Sequence, residues 1–231
     1  MIIILASRYD QAAKSLAERW AARDAALLTP RDLSEAGWNF HVPARASGQA
    51  VAGGRVIANH DITGVLTRMV GVDPGELDHV APEDSAYVAS EMTAFLLAWL
   101  STLECPILNR PTPECLCGPA WRAERWIRFA AGLGFPVQSI RQDSRDGSAT
   151  DFEHSSAGVT VAGERCFGAV DSSLADHARR LAAAAGVGLL EVRFNSPDRD
   201  GRFVGINLCP DVSVDDVADA IFEYFQRVAV C

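Results

Sequence analysis

Lysine is almost absent from this sequence: Lys14 stands alone, and the other twenty of the 21 basic residues are arginines. Chemistry that needs a compact ammonium charge must use Lys14 or work with the planar guanidinium fork, which is no routine substitute. Long apolar runs are missing too; the longest, around Met92–Leu100, is too short to span a bilayer. Positive charge is scarce overall, 21 bases against 30 acids for a net charge of -9. That balance argues against nonspecific binding to nucleic acid or to an anionic membrane, since either needs a cationic footprint. The opening Met1–Leu5 has neither a basic leader nor a small-residue cleavage site, so a cytoplasmic protein is expected. Its six cysteines are then expected as thiols, because the cytosol keeps them reduced.

What is present is enough for a core without staples. With 231 residues, 48% of them hydrophobic, the chain is long enough for one large domain or two small ones. Ile2–Ala6 is a continuous apolar run suited to a strand buried on both faces; Gln11–Ala22 reads as a helix and Ala25–Leu28 as a second strand. This β-α-β opening predicts a parallel sheet. Gly53-Gly54 turns a hairpin, and Val65–Met69 is a further strand. Pro82 opens a long helix over Glu83–Leu103, where its missing N–H costs nothing. Pro106–Leu108 is extended, Asn109–Ala120 (NRPTPECLCGPA) is a loop, and Trp121–Leu133 is an amphipathic helix.

Further on, Gln142–Ser156 is polar and reads as a linker, or as the scar of a missing segment. Val159–Val161 and Cys166–Val170 form a hairpin, and Ser173–Ala185 a helix. In 189–210 (LLEVRFNSPDRDGRFVGINLCP), alternating Leu190, Val192 and Phe194 give a strand that returns through an Asp200-Gly201 turn. Ser213–Arg227 closes the chain as a helix, with Ser213 and Asp216 spaced as a capping pair.

Four groups of residues are candidates for chemistry. Cys115 and Cys117 form a C-x-C pair, either a nucleophile or soft-metal site or two small side chains packed in a loop. A zinc site would want four ligands, and no second pair stands at metal-ligand spacing; no metal is expected. His79, near Glu83 and Asp84, is either a general base or a surface histidine ahead of a helix whose N-terminus the acids favour. His154, with Glu153 and Asp151, lies in the polar segment. Arg68, Asn109 and Arg110 follow strands, and two arginines there would hold a carboxylate or phosphate, unless they pair with Asp61 or Glu114.

Three stretches, in this order, resemble the ATP-grasp superfamily, in the branch around ribosomal-protein glutamate ligase, glutathione synthetase and peptide-maturing ligases. They are GVLTRM (Gly64–Met69), CPILNRPTP (Cys105–Pro113) and Gly158–Phe194, a hairpin, helix and strand. The resemblance implies an α/β fold: an amino-terminal parallel-sheet domain over residues 1–134, a linker or remnant over 135–157, and a smaller antiparallel β-sheet-and-helix unit over 158–231. It places Arg68, Asn109 and Arg110 at carboxyl ends of sheet strands, where ligands of open α/β sheets gather.

The same resemblance implies that two lysines should meet the ATP phosphates and that carboxylates on the last hairpin should hold magnesium. Between Gly134 and Gly158 there is no lysine; Arg141 and Arg145 are the cations there. The aligned metal positions are Arg193 and Gly205, with only Asn207 kept. One amide facing one arginine is a poor magnesium site, which wants hard oxygen ligands; Glu191 would serve if the register moved by two. The expectation is therefore a shortened, ligase-like pseudoenzyme with no cofactor of its own, ATP and magnesium entering only if the site is completed elsewhere. It would be a binding or accessory subunit for a small-molecule or peptide ligand, with Arg68, Asn109, Arg110 and Asn207 as ligand contacts and a protein partner or second copy beside it. The alternative is an enzyme, either a carboxylate–amine ligase completed by a partner chain or an old cleft reused with Cys115, Cys117, His79 and an arginine.

Overall fold

A computed structural model of the chain describes residues 1–41, 48–138 and 157–228. Its first strand, β1 (Ile2–Leu5), is buried at every position. Helix α1 (Gln11–Arg19) starts at Asp10, whose carboxylate accepts the Ala13 amide and so satisfies one orphan N–H of the first turn. Ala13 and Leu16 face inward, and the chain returns as β2 (Ala25–Leu28), parallel to β1. The hairpin β3 (Gln49–Ala52) and β4 (Arg55–Ala58) turns at Gly53 and Gly54, both at positive φ where a Cβ is disfavoured. Strand β5 (Gly64–Thr67) then pairs parallel with the other edge of β1.

The 18-residue helix α2 (Ser85–Thr102) buries Ala89, Leu96, Trp99 and Leu100 in a core shared with Ile3, Leu5, Val65 and Ile107. After it, β6 (Ile107–Leu108) completes a parallel sheet in the order β2-β1-β5-β6. The chain thus leaves β1 to one side and later returns to its other side. That makes the carboxyl ends of β1 and β5 a topological switch point, where open α/β sheets leave a crevice.

A second unit, Trp121–Pro210, forms its own core. It contains α3 (Ala123–Gly132), β7 (Ala157–Ala162), β8 (Arg165–Phe167), α4 (Ser172–Ala185), β9 (Leu189–Phe194) and β10 (Phe203–Asn207). The strands make an antiparallel sheet in the order β10-β9-β7-β8. Helix α4 presents Leu174, Ala178, Leu181 and Ala182 at helical spacing to Val159, Val161, Leu190 and Val192. Each of its two leucines contributes ~1.5–3 kcal/mol by leaving water. The helix ends at Gly186, in the left-handed conformation at φ 66°. Side chains alternate across a strand, so the sheet face away from α4 carries Gly158, Thr160, Glu191, Arg193, Gly205 and Asn207.

The α/β architecture, a parallel sheet plus a separate antiparallel sheet with helices, is the one the sequence implied. The division of the chain differs from the expected boundaries. Helix α3 belongs to the second unit, because Trp126 and Ala130 pack into that unit's core. The last helix, α5 (Asp215–Val228), belongs with Met1–Ala120. There the Phe225 ring packs against Gly64, and Phe222 meets Trp20 at 5.6 Å between ring centroids. The polar segment 142–156, with Arg145 and His154, lies outside the described residues, as does Arg141.

Two local expectations need correction. The return between β9 and β10 is longer than an Asp200-Gly201 turn: Asn195 and Arg202 bond each other, and the Gly201 amide bonds Asp198. Ser213 is held by Asp211, whose carboxylate accepts both its amide and its hydroxyl, and α5 starts beyond it at Asp215.

Candidate functional site

In the first unit the switch point gathers one buried arginine. Arg68 follows β5; its amide bonds the Leu5 carbonyl, and its Nε donates to Asp10 Oδ2 at 2.8 Å. The guanidinium side chain is only 4% exposed and Asp10 16%, so this is a buried pair. The carboxylate partner of Arg68 here is Asp10, where the sequence suggested Asp61 or Glu114, and Arg68 makes further bonds besides. Asp10 thus both caps α1 and neutralises Arg68, a double duty that spacing along the chain does not reveal, although an Asp directly ahead of a helical pattern is a legible cap signal.

Beside it, Asn109 is 2% exposed and Thr67 wholly buried. The Thr67 hydroxyl donates to the Asn109 carbonyl, and Asn109 Nδ2 donates to the Cys117 carbonyl at 3.2 Å. Leu116 N bonds the Val70 carbonyl, so the Cys115–Cys117 loop is tied to the segment after β5. The two sulfurs lie 3.6 Å apart and both residues are buried. A hydrogen bond from Cys117 holds the Cys115 thiol down at about 7, against burial, which pushes it up. The structure therefore brings Asn109, Cys115 and Cys117 together as one packed loop anchor. Arg110 is exposed, and its charge acts on Cys105.

His79 stands apart from Glu83 and Asp84 in its bonding. Its Nε2 lies 2.7 Å from the Ser34 hydroxyl and its Nδ1 3.7 Å from Asp78. Asp78 in turn accepts from Arg8 at 2.8 Å, and that bond holds its carboxyl below the usual range. Buried Glu76 accepts the Arg8 amide at 2.8 Å. This Arg8–Glu76–Asp78 group gave no sequence signal, because Arg8 stands 68 and 70 residues from its two acidic partners.

In the second unit the open sheet face carries the residues aligned with a metal site. Arg193 and Gly205 are direct cross-strand partners, as are Glu191 and Asn207. Glu191 Oε2 accepts from Arg193 Nε at 3.2 Å and Nη2 at 3.0 Å, and from Asn207 Nδ2 at 3.3 Å. Asn207 Oδ1 accepts the Cys209 amide at 3.0 Å. The Asn207 amide oxygen is thus engaged by backbone, and the Glu191 carboxylate, the one carboxylate of this face among the described residues, is engaged through Oε2 by a guanidinium. Magnesium wants several hard oxygens in octahedral array, and this set does not fit it. Among the described residues no group of three or more His, Cys, Asp or Glu side chains is placed to hold a metal, and no helix is long and apolar enough to cross a membrane.

No family model and no curated protein sequence matches the chain. Its fold is nonetheless shared with solved structures. The macrocyclase MdnC of Microcystis aeruginosa, bound with the precursor peptide MdnA, superposes with a TM-score of 0.68 at 10% identity, over 98% of this chain and 99% of that one. A RiPP-associated ATP-grasp ligase of Chryseobacterium gregarium, in complex with ADP and a leader and core peptide, gives 0.67 at 10% identity, over 98% and 96%. A RimK domain ATP-grasp protein of Sphaerobacter thermophilus gives 0.55 at 18%, over 97% and 99%. From its opening parallel sheet to its antiparallel sheet and helices, this chain has the ATP-grasp fold.

Proposed function

We propose that the chain is a peptide-pathway protein of ATP-grasp form that binds a peptide or an amino-acid-derived intermediate as an accessory subunit and does not itself hold magnesium-ATP. The observation that carries this reading is the bonded set on the open sheet face: Glu191 Oε2 accepts from both Arg193 and Asn207, and the Asn207 oxygen accepts the Cys209 amide. Phosphoryl transfer depends on cations that neutralise the phosphates, and this face offers neither a metal seat nor a lysine. The peptide ligand is supported by the fold's likeness to structures solved with precursor, leader and core peptides.

Calorimetry with magnesium-ATP on the purified chain tests the first half. No heat up to millimolar nucleotide is expected; micromolar binding overturns the reading. Titration with synthetic leader and core peptides of the kind bound in those structures tests the second half, with micromolar binding in the absence of nucleotide as the expected result. A second reading, chemistry at Cys115, has the lowered thiol in its favour, and the burial of both sulfurs against it. Loss of peptide modification on thiol alkylation, with peptide binding intact, would select that second reading.

A further inference from the structure

We propose that the Arg193 guanidinium is the resident cation of this sheet face, supplying to Glu191 the charge that a divalent ion supplies to carboxylates elsewhere, so that the face excludes metal by its own ion pair. The inference rests on the ATP-grasp reading for the identity of the face, and on this chain's own geometry for the rest. Arg193 is flanked on both neighbouring strands by glycine: Gly158 of β7 and Gly205 of β10 are its direct partners. Glycine inside a strand marks a place where something approaches closely.

At Gly158 the reason is visible. A Cβ there would stand 2.6 Å from Glu191 Oε1, so the glycine makes room for the Glu191 carboxylate at that spot. At Gly205 a Cβ would meet nothing within 4 Å, so the position opposite Arg193 is open space. A guanidinium cannot be deprotonated in a protein, so its charge is permanent. A divalent ion at Glu191 would stand against that charge at hydrogen-bond range, and like charges so close repel. With the side chain 43% exposed against 26% for Glu191, the guanidinium is the more solvent-accessible member of the pair.

The test uses Mn²⁺ alone, without nucleotide, followed by calorimetry and by its electron paramagnetic signal on the full chain. The native chain is expected to bind no Mn²⁺ up to millimolar. Arg193→Asp with Gly205→Glu places two carboxylates on directly opposed positions beside Glu191, and is expected to bind Mn²⁺ at least tenfold more tightly than the native chain. Should that double variant fail to fold, Arg193→Gln keeps the hydrogen-bonding reach and removes the charge. It is expected to raise Mn²⁺ affinity severalfold, while Arg193→Lys stays at the native level. Mn²⁺ binding by the native chain that Glu191→Gln abolishes overturns the proposal. So does a folded double variant without Mn²⁺, or an Arg193→Gln variant no different from native. The two readings fail separately: magnesium-ATP held by a native chain that rejects Mn²⁺ removes the functional proposal and leaves Arg193 in its role, whereas native Mn²⁺ binding without ATP binding does the reverse.

Discussion

At the scale of single residues, the buried charges are each bonded: Arg68 by a carboxylate, Glu76 and Asp32 by backbone amides. Arg68 is held by Asp10 where the fold leaves a crevice. Removing one partner of a buried pair strands the other charge, which typically costs 3–5 kcal/mol, and Asp10 is also the α1 cap. Arg68 keeps further bonding, so Asp10→Ala is expected to lower stability by about 3 kcal/mol, read from the urea unfolding midpoint. The thiol pair makes a second prediction. Cys115 titrates at about 7 because Cys117 bonds its sulfur, against an ordinary value of 9.0. Cys117→Ala removes that bond and leaves burial, which pushes the thiol up, against the smaller effect of the residue 117 backbone bond, so the Cys115 pKa is expected to rise from about 7 to its ordinary 9.0 or above, as read from ultraviolet thiolate absorbance. The sign for stability follows from the folded value lying below the unfolded one. The native chain should gain stability as pH rises from about 7 towards 9.0, and lose that gain as pH falls through 7.

At the scale of elements, glycines decide which surfaces meet. Phe225 of α5 lies over Gly64 of β5, where a Cβ would come within 2.6 Å of the ring. Gly64→Ala forces that helix away from β5 and is expected to cost about 1–3 kcal/mol as overpacking. Gly205→Ala is the matched control, since its Cβ meets nothing. It is expected to change stability by less than about 0.5 kcal/mol or to raise it slightly. Thermal unfolding of the two variants side by side checks the contrast.

At the scale of the whole molecule, the chain divides into a contiguous second unit and a first unit built from both ends of the sequence. Met1–Ala120 needs the segment from Asp211 onward. Ending the chain after Pro210 uncovers Trp20 and Gly64, which α5 covers through Phe222 and Phe225. The truncated chain is expected to show a lower urea midpoint and a red-shifted tryptophan emission from Trp20. An unchanged midpoint would mean that α5 contributes little to the first unit.

Local elements were legible in the sequence because they depend on short-range chemistry. The apolar Ile2–Leu5 run, the proline ahead of α2, the Gly53-Gly54 turn and the alternation in β9 each follow from residues within one or two turns of each other. The lack of lysine and of carboxylates at 193 and 205 is likewise sequence alone, and it already set the expectation of a lost nucleotide site. Partner choice belonged to the tertiary structure. Strand order placed Asp10 against Arg68, 58 residues away, and strand register put Glu191 across from Asn207 and on the same face as Arg193. Charge in a folded chain is neutralised by whatever lies within a few ångströms, and that distance is set by sheet order and register, not by position along the sequence.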